Sequence, residues 1–440
     1  MRRKVKLSAN NAKVSVYSNS LNTIITFMSV IAVFFFSYIP FLYFFSIISI
    51  EKNIIFILLI SVIISLALFS FTGQMLHGKI RFYKRNITAL SLYMLFAIYA
   101  LVSFFLIGEK LNDLFTIRTL VLINPIFVLL ALLCLQNKNN VINLLYLLSF
   151  IYFIISIWSL IQGNISLSSN NQQNIFMNID NGFYQNINMY LGLFAICNLG
   201  LLSSNNKFIS VISKILILLS VIGMFIIGGR GYVVALFAIF LIYYINILKS
   251  FTFTLSFILK SIILIIIVVA LMAFYFAEIT QGLNASITWQ RFMMLTEEGD
   301  ESLRIFLFSN AITLFFSDVK TIIFGAGINS FPVYIGVNDI QMFPHNILLE
   351  LLAEYGIVGT ILFAIPAGYI ISIRNKILGS TFGNCINEQI IFLIFIYILI
   401  NDLFNGNLRT SWMFIFFMFL LIPSRKDIEL FNKTKFRAYL

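Results

Sequence analysis

The sequence predicts an all-α membrane protein, a polytopic bundle of about twelve transmembrane helices with one large loop outside the bilayer. Three observations lead there. The chain is 60% hydrophobic and 10% charged, with 49 Phe, whereas a soluble domain is about half apolar and about a quarter charged. Its apolar residues come in repeated runs of roughly 18 to 25, a length that needs lipid as solvent. Those runs are unbroken and do not alternate, which excludes a β-barrel and leaves helices as the means of satisfying the backbone in lipid.

Taken in order, the expected spans lie at about 23–49, 54–72, 87–107, 117–135, 141–162, 187–203, 208–228, 231–248, 255–277, 346–372, 387–402 and 409–423. The first contains Pro40 and is expected to bend or break there. The apolar run from Leu303 to Phe316 is about 14 residues, short of the 17 or so that crossing requires, so it reads as a helix on the surface of the bilayer. Residues 1–440 form one integral membrane domain, in which 278–345 is the large loop and 163–186 a smaller one rich in Asn, Gln and Ser. No internal repeat, heptad pattern or soluble domain is visible.

Charge orients this bundle. With the N-terminus inside, the short basic segments fall on one face: Arg2 to Lys13, Lys79 to Arg85, Lys138, Lys207, Lys249, Arg374 with Lys376, and the tail from Arg425 to Arg437. Both termini are thus expected in the cytoplasm and both polar loops on the far side. The formal charge of +12 is accounted for by this asymmetry, and nucleic acid is excluded as a partner. Membrane lipids are the expected surroundings. The N-terminus, with no small-residue cleavage site after its apolar run, reads as a retained signal-anchor. Cys134, Cys197 and Cys385 are few, odd in number and in or near apolar segments, so no disulfide framework is expected.

Chemistry concentrates on the outer face. Gly228-Gly-Arg230-Gly231 joins two spans: either a tight turn whose Arg reaches lipid headgroups, or a close-approach loop whose guanidinium fork meets a phosphate. The large loop holds Arg291 and Arg304, with the acidic patch Glu297, Glu298, Asp300 and Glu301 between them. No Ca loop and no His/Cys cluster appears, so neither metal nor cofactor is expected. His345 stands where the loop enters a helix; its ordinary pKa near 6.5 suits proton transfer, and a helix N-terminus would lower it and keep the ring neutral. Asn346, Glu350 and Glu354 recur every fourth residue and share one stripe of that helix. Arginines, a neutral imidazole and carboxylates on one face describe a site that binds an anionic, phosphorylated lipid-linked group and takes a proton from a hydroxyl.

The order of these motifs resembles the O-antigen polymerase and ligase superfamily. The residues concerned are the Gly229-Arg230-Gly231 turn, Arg304, Phe324-Gly-Ala-Gly-Ile-Asn-Ser-Phe, and Pro344-His-Asn-Ile-Leu-Leu-Glu-Leu-Leu-Ala-Glu-Tyr-Gly-Ile-Val-Gly, together covering roughly 230–360. The resemblance implies an inverting, metal-independent glycosyltransferase of GT-C-like helical architecture in the bacterial inner membrane. Its substrate would be an oligosaccharide on undecaprenyl diphosphate, handled on the periplasmic face. It implies His345 as the base, Arg230, Arg304 and Arg291 as diphosphate ligands, and Asn346, Glu350 and Glu354 as further substrate-side residues, the two glutamates without an assigned role. A polymerase of O-antigen repeat units is the expected activity. A ligase onto lipid A-core has the same motif, and a flippase of lipid-linked sugars is the alternative of another class. A chain-length regulator protein is a candidate partner of the polymerase.

Overall fold

A computed structural model describes residues 84–106, 117, 119–161, 183–202, 204, 206–227, 230–249, 303–337, 342–378, 386–408, 411–424 and 428. Among these residues the only regular secondary structure is helix. Among the described residues five helices are long and apolar enough to cross a membrane: Lys84–Leu106, Lys138–Ile157, Lys207–Ile227, Ile347–Leu378 and Ile386–Asn405. Ile187–Leu201, Gly231–Ile245 and Arg304–Phe315 are shorter apolar helices. The expected spans at 23–49, 54–72 and 255–277 lie outside the described residues.

In chain order the helices are α1 (Lys84–Leu106), α2 (Asn124–Cys134), α3 (Lys138–Ile161), α4 (Phe183–Leu201), α5 (Lys207–Ile227), α6 (Arg230–Lys249), α7 (Leu303–Phe315), α8 (Val319–Phe324), α9 (Ser330–Tyr334), α10 (Ile347–Glu350), α11 (Gly356–Leu378), α12 (Ile386–Asn405) and α13 (Trp412–Leu420). Two expected spans take a different form. The one at 117–135 begins as a π-turn, Thr119–Ile123, and becomes α-helical only with Pro125 in the first turn of α2. Proline has no N–H to give, so the turn before it is where a wider winding costs least. The one at 409–423 is α13, only nine residues long and buried on every side; a helix apolar all round belongs inside a bundle.

The chain divides into two compact units, residues 148–302 and residues 1–147 with 303–440. In the first, α4 and α5 form a hairpin whose tight turn is held by polar side chains. Asn206 Oδ1 accepts from Phe208 N at 3.0 Å, and Ser210 Oγ donates to Leu202 O at 3.1 Å. Gly223 on α5 lets Leu191 of α4 come close, since a Cβ there would sit 3.3 Å from Leu191 Cδ1. Tyr152 stacks on Tyr190 with centroids 3.8 Å apart, and Tyr243 of α6 donates to Leu199 O at 3.2 Å.

The second unit is built round α13 and an aromatic column. Phe96 of α1 meets Tyr355 and Phe363 at 5.7 and 5.1 Å; Phe363 and Phe395 in turn meet Phe414 at 5.7 and 5.3 Å. At the start of α12, Glu388 forms a buried ion pair with Lys138, whose ammonium also donates to Ile422 O at 2.9 Å. The other end of α12, Asn405, is about 25 Å away at roughly 1.5 Å per residue, and it is there that the sequence motifs gather.

Candidate active site

The site is assembled on a break in one long apolar helix. The run Ile347–Leu378 starts as α10, widens to a π-turn over Leu351–Tyr355, and breaks at Gly356, whose φ is 65°. A π-turn leaves carbonyls without their usual partner four residues on. Here they face another backbone: Ala326 N donates to Ala353 O at 2.9 Å and Gly327 N donates to Glu354 O at 3.0 Å. The Gly-Ala-Gly segment therefore docks main chain against main chain, which explains its composition. A Cβ on Gly325 (φ 82°) would lie 2.3 Å from Glu354 O, and one on Gly356 would lie 2.4 Å from Gly325 N. From α1, the Tyr99 hydroxyl lies 2.7 Å from Phe324 O and 2.9 Å from Tyr355 O, so it can donate to either side of the junction.

Glu354 fastens the same junction. Its side chain is 2% exposed and accepts from Asn329 N at 3.0 Å and Phe331 N at 3.3 Å. Asn329 has φ 61°, a left-handed conformation that Asn tolerates better than most residues. The chain turns there so that both N–H groups meet one carboxylate. Glu350, 1% exposed, accepts from Leu408 N at 3.0 Å, so it ties α10 to the chain just past α12. Both carboxylates, expected on the substrate side, accept hydrogen bonds from backbone N–H groups.

Pro344, His345 and Asn346 form the entry to α10. Asn346 is its N-cap, with Oδ1 accepting from Leu348 N at 2.9 Å and Leu349 N at 3.0 Å. This gives the side-chain carbonyl a structural task. His345 carries φ 53°, and the buried Pro344 before it fixes the approach. A bulky side chain at positive φ is held there only by its surroundings, and such strain concentrates at functional sites. The imidazole is half-buried and packs on Phe343 with ring centroids 4.1 Å apart. Burial first, and then the positive charge of Arg304, push its pKa down to about 4, so the ring is neutral at pH 7. The direction is the one the helix entry suggested; burial and Arg304 are the causes.

Arg304 is the second residue of α7 and is part-buried. Leu307, Ala311 and Leu314 on the same helix pack with Phe331 and Ala353, seating α7 on the π-turn. Its guanidinium Nη2 donates to Asn405 Oδ1 at 2.7 Å. Arg304, His345, Asn346, Glu350 and Glu354 are thus brought together within one unit. Arg230 opens α6 in the other unit, and its side chain lies outside the description, as does the whole of Arg291. Sequence reading missed Tyr99 and Asn405. Tyr99 sits unmarked within an apolar span; Asn405 had a faint signal, the polar cluster Asn401, Asp402, Asn405 and Asn407 at the end of one.

A family model described as O-antigen ligase matches residues 215–364. The match supports the O-antigen polymerase and ligase superfamily. It covers Arg230, Arg291, Arg304 and the whole 325–359 junction, and stops short of Asn405. With the five apolar helices, it marks the chain as a membrane protein. Among curated proteins nothing matches the chain.

Proposed function

We propose that the chain is an inverting, metal-independent glycosyltransferase that polymerises oligosaccharide repeat units of O-antigen carried on undecaprenyl diphosphate. The site would open to the periplasmic face of the bacterial inner membrane, with both termini in the cytoplasm. The observation that carries the reading is the pairing of a neutral, strained His345 with the charge of Arg304, inside the stretch that matches the family. The acceptor hydroxyl attacks the anomeric carbon from the side opposite the diphosphate, giving inversion. Its proton passes to His345, the anomeric C–O bond breaks, and undecaprenyl diphosphate leaves with the electron pair. Arg304 stabilises the charge that develops on that leaving group. On sequence grounds Arg230 and Arg291 serve the same diphosphate. Asn346, Glu350 and Glu354 are assigned to holding the frame, since each oxygen described above accepts from backbone.

The description of the matching family favours a second reading, a ligase that moves the finished glycan onto lipid A-core. Donor and chemistry are the same; the acceptor differs. Deleting the gene and running the lipopolysaccharide on a gel separates them. Core bearing one repeat unit is the polymerase result, and bare core with polymer left on its carrier is the ligase result. Unpolymerised units retained inside the cell would instead indicate a flippase and remove both. His345→Ala at normal protein level should reproduce the deletion, and long-chain glycan in that variant would refute the base assignment.

A further inference from the structure

Three anchors converge on the C-terminal end of α12. Gly406 N closes the helix on Asp402 O at 3.0 Å, and a Cβ on Gly406 would lie 2.4 Å from Asp402 Cα, so the turn is tight. Glu350 Oε2 holds Leu408 N, pinning the next residues to α10. Inside the tight turn sits Asn405, whose Oδ1 accepts a hydrogen bond from Arg304 Nη2 at 2.7 Å across 101 positions of sequence. The acceptor that meets Arg304 is an amide and not a carboxylate. Glu350 and Glu354 accept from backbone N–H groups instead, and among the described residues no carboxylate forms an ion pair with Arg304.

A carboxylate at this point would orient the guanidinium and also cancel its charge. A carbonyl orients it at little electrostatic cost. We propose that Asn405 is a positioning residue of the transfer site: its side-chain carbonyl fixes the Arg304 guanidinium beside His345 and leaves the positive charge available to an anionic diphosphate. This rests on the glycosyltransferase reading above. It extends the site beyond the matched 215–364 stretch to the last residue of α12.

The test uses the full chain in a deletion strain, with membranes assayed on lipid-linked oligosaccharide extracted from that strain. The product followed is whichever one the deletion gel identifies. Asn405→Ala should lower turnover about tenfold to a hundredfold, the cost of a misplaced charge. Asn405→Asp keeps the acceptor and its shape but neutralises the guanidinium, and should lose at least about tenfold at unchanged melting temperature. In an Arg304→Ala background neither change should cost anything more, because the two residues act as a unit. Wild-type turnover in Asn405→Asp overturns the proposal even where Asn405→Ala fails to fold. So do losses that multiply in the double variants. Wild-type turnover in Arg304→Ala is a separate result: it removes the reading of the site itself.

Discussion

Glu354 accepts the backbone N–H of Asn329 at 3.0 Å, so one buried carboxylate holds the left-handed turn of a loop 25 residues before it. With Phe331 N on its other oxygen, it shapes the segment that the π-turn carbonyls then grip. In the Glu-x-Gly-x-x-Gly pattern, then, Glu354 is bonded to backbone, Gly356 meets backbone where a side chain would collide, and Gly359 leaves room for the Tyr355 and Tyr99 side chains.

Glu354→Ala should leave two buried N–H groups without their acceptor, which costs on the order of 3 kcal/mol. Thermal unfolding in detergent should show a lowered Tm and reduced abundance in membranes. Glu354→Gln, which keeps one carbonyl oxygen, should lose less. An Ala variant that melts like wild type and yet makes no glycan would assign Glu354 to substrate instead.

Two glycines at positive φ separate strain from collision. Gly336 has φ 76° and open space where a Cβ would go, so Gly336→Ala bears only the conformational penalty, about 1–2 kcal/mol. Gly325 has φ 82° and a carbonyl oxygen 2.3 Å from that position. Gly325→Ala should therefore cost more than about 3 kcal/mol and undo the docking of the loop. Equal melting temperatures for the two variants would contradict the backbone-on-backbone junction.

Much of this was legible in the sequence because hydropathy acts over long runs. The expected spans at 87–107, 208–228 and 387–402 correspond to α1, α5 and α12, helices long and apolar enough to cross, and the apolar run from Leu303 is α7, at 13 residues too short to cross. The motif residues were legible as polar exceptions in an apolar chain. Their roles were less so. Spacing of four placed Glu350 and Glu354 on one stripe, but the intervening π-turn and the partners Leu408 and Asn329 depend on tertiary contacts that periodicity does not encode. Asn405 is the same case, since its partner lies on another helix.

The chain has two histidines, so His345 can be followed directly by NMR of labelled imidazole in detergent, with a His77 variant for assignment. It should titrate near pH 4, and Arg304→Gln should raise that value toward 6.5 by removing a positive neighbour. The sign for stability follows. A histidine whose folded pKa is depressed takes its proton more readily when unfolded. Its neutral form supports the fold fully above about pH 6.5, and that support is lost as pH falls toward about 4. A titration near 6.5 in the wild type would mean that neither burial nor Arg304 acts on the ring.

At the far end of α12 the buried Lys138–Glu388 pair provides a check on the fold that is independent of the site. Both side chains are 4% exposed, so each charge stands opposite the other in place of water. Removing one partner, as in Lys138→Met, should leave the buried Glu388 carboxylate without its ammonium and cost about 3–5 kcal/mol. Replacing both, Lys138→Met with Glu388→Leu, should recover most of that loss, because a buried pair is seldom more stabilising than apolar side chains of similar volume. The Ile422 carbonyl that also accepts from Lys138 sets the limit on recovery, since it loses its ammonium donor in either variant. Melting curves of the two single variants and the double variant decide the matter. Additive losses would mean that the two residues do not meet, and with them would go the contact between the first turns of α3 and α12. Transfer activity per folded molecule should stay near wild type in the double variant, about 25 Å from Asn405 along the helix.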